Sequence, residues 1–193
     1  EPYRRQRQMC IRDRIKFAQT HQIDLTFVGP EVPLAAGIVD DFQAIGLPIF
    51  GVTQKLAQLE SSKTFAKTFM HRHHLPTAAS KTVHSAIEAH AEATLMGLPL
   101  VLKKDGLAAG KGVVIANDAA TLDDTIEQFY AGHPDATVLL EEYLAGEEAS
   151  VMALFNDQKR VILPLSQDHK RRHAADRGPN TGGMGAILSL IHI

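Results

Sequence analysis

From residue 23 onward the chain alternates between two kinds of apolar pattern. Short, nearly continuous runs, "IDLTFVG" (23–29) and "LPIFG" (47–51), end at glycine, as buried parallel strands do. Between them "VPLAAGIVDDFQAI" (32–45) repeats apolar residues at helical spacing, with Gly46 placed to stop the helix. Strand, helix and strand joined by short links predict a βαβ unit and a parallel sheet. "TQKLAQLESSKTFAKTFMHRHH" (53–74) continues as helix, broken near Ser61 and Ser62, where a serine can cap a new one. "LPTAAS" (75–80) is a short extended piece, and "SAIEAHAEATLM" (85–96) is a helix stopped by Gly97.

Two apolar runs then flank a glycine-rich stretch, "VLKKDGLAAGKGVVIA" (101–116). The β-branched Val113, Val114 and Ile115 predict a strand after the loop, so the segment is a hairpin with a long cationic tip. A helix over "TLDDTIEQFY" (121–130) and a strand over "TVLLEEYL" (137–144) follow. "EASVMALFND" and "RVILPLS" form an antiparallel pair turning at Asn156-Asp157. "QDHKRRHAADRGPNTGGMGA" (167–186) has no periodicity and is expected to be a long functional loop. The ends break the pattern: "EPYRRQRQMCIRDR" (1–14) and "ILSLIHI" (187–193) read as foreign or disordered flanks.

Composition narrows the class. Hydrophobic residues make up 45% and charged residues 22% of 193, the balance of an ordinary globular protein. A net charge of -2 gives no sign of a nucleic-acid surface. No apolar run approaches the ~20 residues of a membrane helix, and one cysteine, Cys10, excludes an internal disulfide and fits a reducing compartment. The expectation is a cytoplasmic soluble protein.

Four places can carry chemistry. The 101–116 loop is not a Walker A motif, because Gly106 and Gly110 are only three residues apart and Gly112 stands where a hydroxyl is needed. It either folds over a polyphosphate, glycine amides approaching the oxygens, or is a plain long turn. Lys103 and Lys104 point to opposite faces of their strand; either Lys103, sharing a face with Val101, faces inward and needs an anionic partner, or both lysines are simply solvated at the strand end. "LLEEYLAGEE" (139–148) leads a strand into a carboxylate-rich turn, suited to an adenine on its backbone edge and sugar hydroxyls on a glutamate, or simply to solvent. "GPNTGGMG" (178–185) offers an amide-lined nest or a flexible loop. "HRHH" (71–74) suggests a metal, but lies at a helix C-terminus, where cations are favoured anyway; no metal ligand is assigned.

Taken in order, "DLTFVGPEVPLAAGIVD", "QLESSKTFAKTFM", "KKDGLAAGKGVVIA", "LLEEYLAGEEAS", "SQDHK" and "GPNTGGMGA" closely resemble the phosphoribosylamine–glycine ligase family of the ATP-grasp superfamily, over about Ile15 to Ala186. The resemblance implies an α/β (α+β) ATP-grasp fold carrying the remnant of an N-terminal parallel, Rossmann-like domain. Its divisions would be a partial N-terminal domain at 15–60, the linker helix and small lobe at 61–146, and the start of the central lobe at 147–186. It implies ATP-dependent joining of glycine to 5-phosphoribosylamine through an acyl phosphate, with Mg²⁺ (or Mn²⁺) held by residues outside this chain. Lys63 and Lys103 match the catalytic phosphate-contacting lysines, and Asp105, Gly106, Gly110, Lys111 and Gly112 the lid over the phosphates. Glu141, Glu142, Tyr143 and Leu144 match the adenine hinge, and Glu148 the ribose carboxylate. Asp168, His169, Asn180, Thr181, Gly182 and Gly183 match the substrate side. Lys104 departs from the small residue usual there. Because the family's N-terminal glycine-rich segment and metal-holding segment have no counterpart here, the chain is expected to be an internal, inactive piece. Another ATP-grasp ligase or carboxylase, or a non-catalytic nucleotide-binding fragment, is the alternative; the "SQDHK" and "GPNTGGMGA" motifs favour the first assignment over another ATP-grasp enzyme.

Overall fold

The computed structural model describes residues 10–107, 112–174 and 177–188. They form two compact units dividing after Thr77. In the N-terminal unit, helix α1 (Ile11–Thr20) starts four residues before the domain start expected from the sequence. Its Ile11 and Ile15, one turn apart, pack with Ala18 on a core of Val28, Ile38, Val39 and Phe42. Strands β1 (Thr26–Phe27) and β2 (Ile49–Phe50) pair in parallel, so the predicted βαβ unit is present. Its crossover is two helices, α2 (Glu31–Ala35) and α3 (Ile38–Ala44), not the single one expected. The break is Gly37, whose φ of 89° is a left-handed conformation that glycine adopts without a Cβ penalty. Apolar spacing runs on through it, which is why periodicity alone does not reveal it.

Helices α4 (Gln54–Ser61) and α5 (Lys63–Arg72) meet at Ser62, the predicted break. The Ser62 hydroxyl accepts from the Phe65 N–H at 3.1 Å, capping α5. Lys67, on α5, is buried and donates from Nζ to Thr77 Oγ1 at 2.6 Å.

The C-terminal unit is built on a four-stranded sheet in the order β3-β6-β4-β5: β3 (Ser80–Val83), β6 (Val138–Glu142), β4 (Leu100–Lys104) and β5 (Val113–Ala116), every neighbour antiparallel. Helices α6 (Ala86–Met96) and α7 (Ala119–Tyr130) cover one face. Alternation sends Val83, Leu100, Leu102, Ala116, Val138 and Leu140 into that cover, where they meet Ala89, Ala93, Leu122, Ile126 and Phe129. Tyr130 joins this core and donates from Oη to the Val83 carbonyl at 3.4 Å. The other face carries Ser80 and Thr82, Leu139 and Glu141, Val101 and Lys103, Val113 and Ile115.

Both helices are capped. Ser85 accepts from the Glu88 N–H at 3.2 Å, and the Glu88 carboxylate accepts in return from the His84 N–H at 2.8 Å. The Asp118 carboxylate accepts from the Thr121 N–H at 2.7 Å, and this bond, with one from the Thr121 hydroxyl, holds the Asp118 carboxyl below its ordinary range. A depressed folded-state pKa stabilises the fold above the unfolded carboxylate value of about 3.9 and is lost as pH falls through the folded one. Thermal unfolding of Asp118→Asn, which keeps an acceptor, should therefore fall less steeply between pH 5 and 3 than that of the unchanged chain; identical slopes would contradict this.

Beyond the sheet, β7 (Ala153–Phe155) and β8 (Arg160–Ile162) form the expected hairpin around Asn156, whose side chain accepts from the Gln158 and Lys159 N–H groups. Leu154, Phe155, Val161 and Ile162 are exposed on it. The stretch 167–186, expected as a loop, is instead most of a long antiparallel hairpin of β9 (Ser166–His173) and β10 (Arg177–Leu188). Its pairing register shifts between Arg177 and Gly185, the irregularity that glycines at positive φ allow. Polar side chains at every position of β9, half of them exposed, leave no apolar alternation to mark it as a strand.

Candidate functional site

The site-bearing features of the C-terminal unit lie along β4 and β6, whose antiparallel pairing puts the loop after Lys104 and the segment after Glu142 at opposite ends of the sheet. Lys103 and Lys104 face opposite sides of the sheet, as strand alternation requires. Lys103 lies on the face away from the helices. Its Nζ pairs with the Glu141 carboxylate on the neighbouring strand, side chains 28% and 8% exposed. The register sets Lys103 opposite Leu139, so Glu141 is its diagonal neighbour, within reach of a long side chain. The anionic partner required by an inward lysine is thus supplied by the protein itself. Lysine carries three N–H donors, so this contact leaves it able to meet further anions. Lys104, on the helix face, borders a shallow depression of about 490 Å³ with Asp105, Gly106, His133, Asp135 and Thr137.

A cleft of about 560 Å³ opens beyond the end of β6. Tyr143, Leu144, Gly146, Glu147 and Glu148 form one wall, and Gln167, Asp168, His169, Lys170 and Arg171 of β9 another. Ile115, also lining it, is on the same sheet face as Lys103. The cleft therefore brings together Tyr143, Leu144, Glu148, Asp168 and His169, which the sequence assigned separately. Asp168 and Lys170 form an ion pair at 3.3 Å. The Thr181 hydroxyl donates to the Lys170 carbonyl at 2.9 Å and accepts from the Gly183 N–H at 3.1 Å. One amide of the expected glycine nest is thus already engaged within the hairpin. Asn180 is paired in register with Arg171, and Gly182 lies on the same strand.

Other assignments fall elsewhere. Lys63 opens α5 in the N-terminal unit. The lid residues divide: Asp105 donates its N–H to the Thr137 carbonyl, Gly106 has a φ of 92°, and the Gly112 carbonyl accepts from the Lys104 N–H, whereas Gly110 and Lys111 lie outside the described residues. Glu142 turns its carboxylate to the Ala79 N–H at 2.8 Å. Among the described residues no three His, Cys, Asp or Glu side chains are grouped to hold a metal ion, and no helix is long and apolar enough to cross a membrane. The residue-to-residue contacts missed by the sequence were Lys103–Glu141 and Glu142–Ala79, both of which depend on which strands are neighbours.

Two family models match almost the whole chain: the phosphoribosylglycinamide synthetase N domain over residues 4–60, and its ATP-grasp (A) domain over 61–192. The chain belongs to the phosphoribosylglycinamide synthetase family. Within that family it is 53% identical over 174 residues to a phosphoribosylamine–glycine ligase of Ralstonia nicotianae, a match covering 88% of this chain and 41% of the relative. The chain thus spans well under half the length of the curated relatives it matches. A solved phosphoribosylamine–glycine ligase from Thermotoga maritima is 37% identical, with a TM-score of 0.64 over 77% of this chain and 39% of that one. A biotin carboxylase from Campylobacter jejuni, 19% identical, superposes with a TM-score of 0.70 over 84% of this chain and 38% of that one; it speaks for the ATP-grasp fold alone. The synthetase domain models meet between residues 60 and 61, whereas the compact units divide after Thr77. Helix α5 makes the difference: it matches the ATP-grasp domain by sequence and packs on α4 of the N-terminal unit.

Proposed function

We propose that this chain supplies the nucleotide-binding part of a ligase that joins the carboxyl of glycine to the amine of 5-phosphoribosylamine, cleaving ATP to ADP and phosphate. The observation that carries the proposal is the cleft where the Tyr143–Leu144 segment and Glu148 face Asp168 and His169, opening on the sheet face that bears Lys103. Adenine would lie along the Tyr143–Leu144 backbone, whose N–H and C=O groups suit its edge, with the ribose hydroxyls on Glu148. Lys103, steadied by Glu141, would meet the phosphates, with the 105–112 segment as a cover. Asp168, His169, Asn180, Thr181, Gly182 and Gly183 would serve the glycine and phosphoribosylamine side.

A carboxylate resists attack by an amine until a phosphoryl group makes it an acyl phosphate, so such a site must neutralise the transferring phosphate and exclude water. Lysine and backbone amides do the first. A Mg²⁺ or Mn²⁺ ion bound with the phosphates would add to it; among the described residues no three His, Cys, Asp or Glu side chains are grouped to hold one by themselves. The single cysteine supports a cytoplasmic setting.

Calorimetric titration with ATP tests the proposal. Lys103→Ala should weaken binding about tenfold or more, the loss of one charge-assisted contact of roughly 1.5–3 kcal/mol, while Lys104→Ala changes it little. Equal effects would remove the assignment of Lys103. For the whole reaction, phosphate release with glycine, 5-phosphoribosylamine, ATP and Mg²⁺ should drop when the same Lys103 change is placed in a ligase of the relatives' full length.

A further inference from the structure

Glu142 is the last residue of β6 and is fixed from both flanks. On one side it pairs in register with Leu100 of β4. On the other, its N–H donates to the Ala79 carbonyl at 3.0 Å, and its Oε1 accepts from the Ala79 N–H at 2.8 Å. Ala79 lies just before β3, 63 residues away in sequence. The carboxylate thus extends the β3–β6 ladder by one step, a side-chain oxygen taking the place of a backbone carbonyl. The next residues, Tyr143 and Leu144, have left the sheet and wall the cleft.

We propose that Glu142 is a positioning residue and not a ligand: its carboxylate, held by the Ala79 amide, sets the direction in which Tyr143 and Leu144 leave the sheet. This rests on the proposal that an adenine lies along those two residues, and gives Glu142 a part in that site distinct from direct contact. The bond to the Ala79 N–H turns Oε1 back along the sheet edge, and a displaced Tyr143–Leu144 backbone would misplace every group it presents. An ordinary strand-end tie, by contrast, would stabilise the sheet and leave ligand affinity alone.

Adenosine, ADP and ATP titrated into the unchanged chain, Glu142→Ala and Glu142→Gln separate these possibilities. Glu142→Ala should weaken all three ligands by the same factor, about fivefold, because the defect lies at the adenine end and is blind to phosphate number. Glu142→Gln keeps an acceptor for the Ala79 N–H and should bind within about twofold of the unchanged chain. Without any ligand, hydrogen exchange at the Tyr143 and Leu144 amides should quicken in Glu142→Ala and not in Glu142→Gln. Unchanged affinity in Glu142→Ala, a loss that grows from adenosine to ATP, or a glutamine variant as weak as the alanine one would each overturn the assignment. If the unchanged chain binds none of the three ligands, the adenine site itself is refuted, and the exchange measurement still decides whether Glu142 orders residues 143–144.

Discussion

Replacing Leu140 by alanine should lower the stability of the C-terminal unit by about 3–4 kcal/mol. Leu140 is fully buried on β6, an inner strand with β3 on one side and β4 on the other. Its register partners are Lys81 on β3 and Leu102 on β4, and its side chain points into the core under α6 and α7. Truncation removes the transfer free energy of three carbons and leaves a void, because strands held by ladders on both sides cannot close over it. Urea unfolding followed by tyrosine fluorescence reads this unit, since Tyr130 lies in the same core and the chain has no tryptophan. A loss below about 1 kcal/mol would mean that the layer between sheet and helices is not close-packed at this point.

Replacing Lys103 by methionine should also cost about 2–3 kcal/mol, for a different reason. Glu141 is nearly buried and loses the cation that balances it; breaking a buried pair from one side costs roughly 3–5 kcal/mol, reduced here because Lys103 keeps partial contact with water. Removing both charges is the sharper test. In the double variant Lys103→Met with Glu141→Leu, two apolar side chains would stand beside Val101 and Leu139 on the same face. The double variant should therefore be more stable than Lys103→Met alone. If the losses of the two single variants simply add in the double, the two side chains are not energetically coupled. The same comparison separates stability from binding: the double variant should fold well and still bind ATP poorly.

Much of this arrangement was legible in the sequence, and the exceptions have physical causes. The break between α4 and α5 shows because serine has a capping chemistry of its own, and Ser62 uses it. The hairpin of β4 and β5 shows because β-branched residues flank a glycine-rich tip. The break at Gly37 does not, since Ile38, Val39 and Phe42 keep the helical spacing going. Nor do β9 and β10, which are held by pairing with each other; β9 is polar along its whole length, so no two-residue apolar period appears in it. For the site, the motifs around Tyr143–Glu148 and Asp168–His169 marked both walls of the cleft. The contacts that steady it, Lys103 with Glu141 and Glu142 with Ala79, join strands whose adjacency no local pattern encodes.

The order β3-β6-β4-β5 also constrains assembly during synthesis. Only β4 and β5 are neighbours both in sequence and in space, so their hairpin can close as soon as it is made. Strand β3 is made before either, but β6, its one partner among the described strands, lies more than fifty positions further along. A growing chain therefore carries an unpaired β3 and an unfinished β4 edge until residue 142 has left the ribosome, and the last strand synthesised must insert between two already waiting, a non-local step of the kind that slows folding.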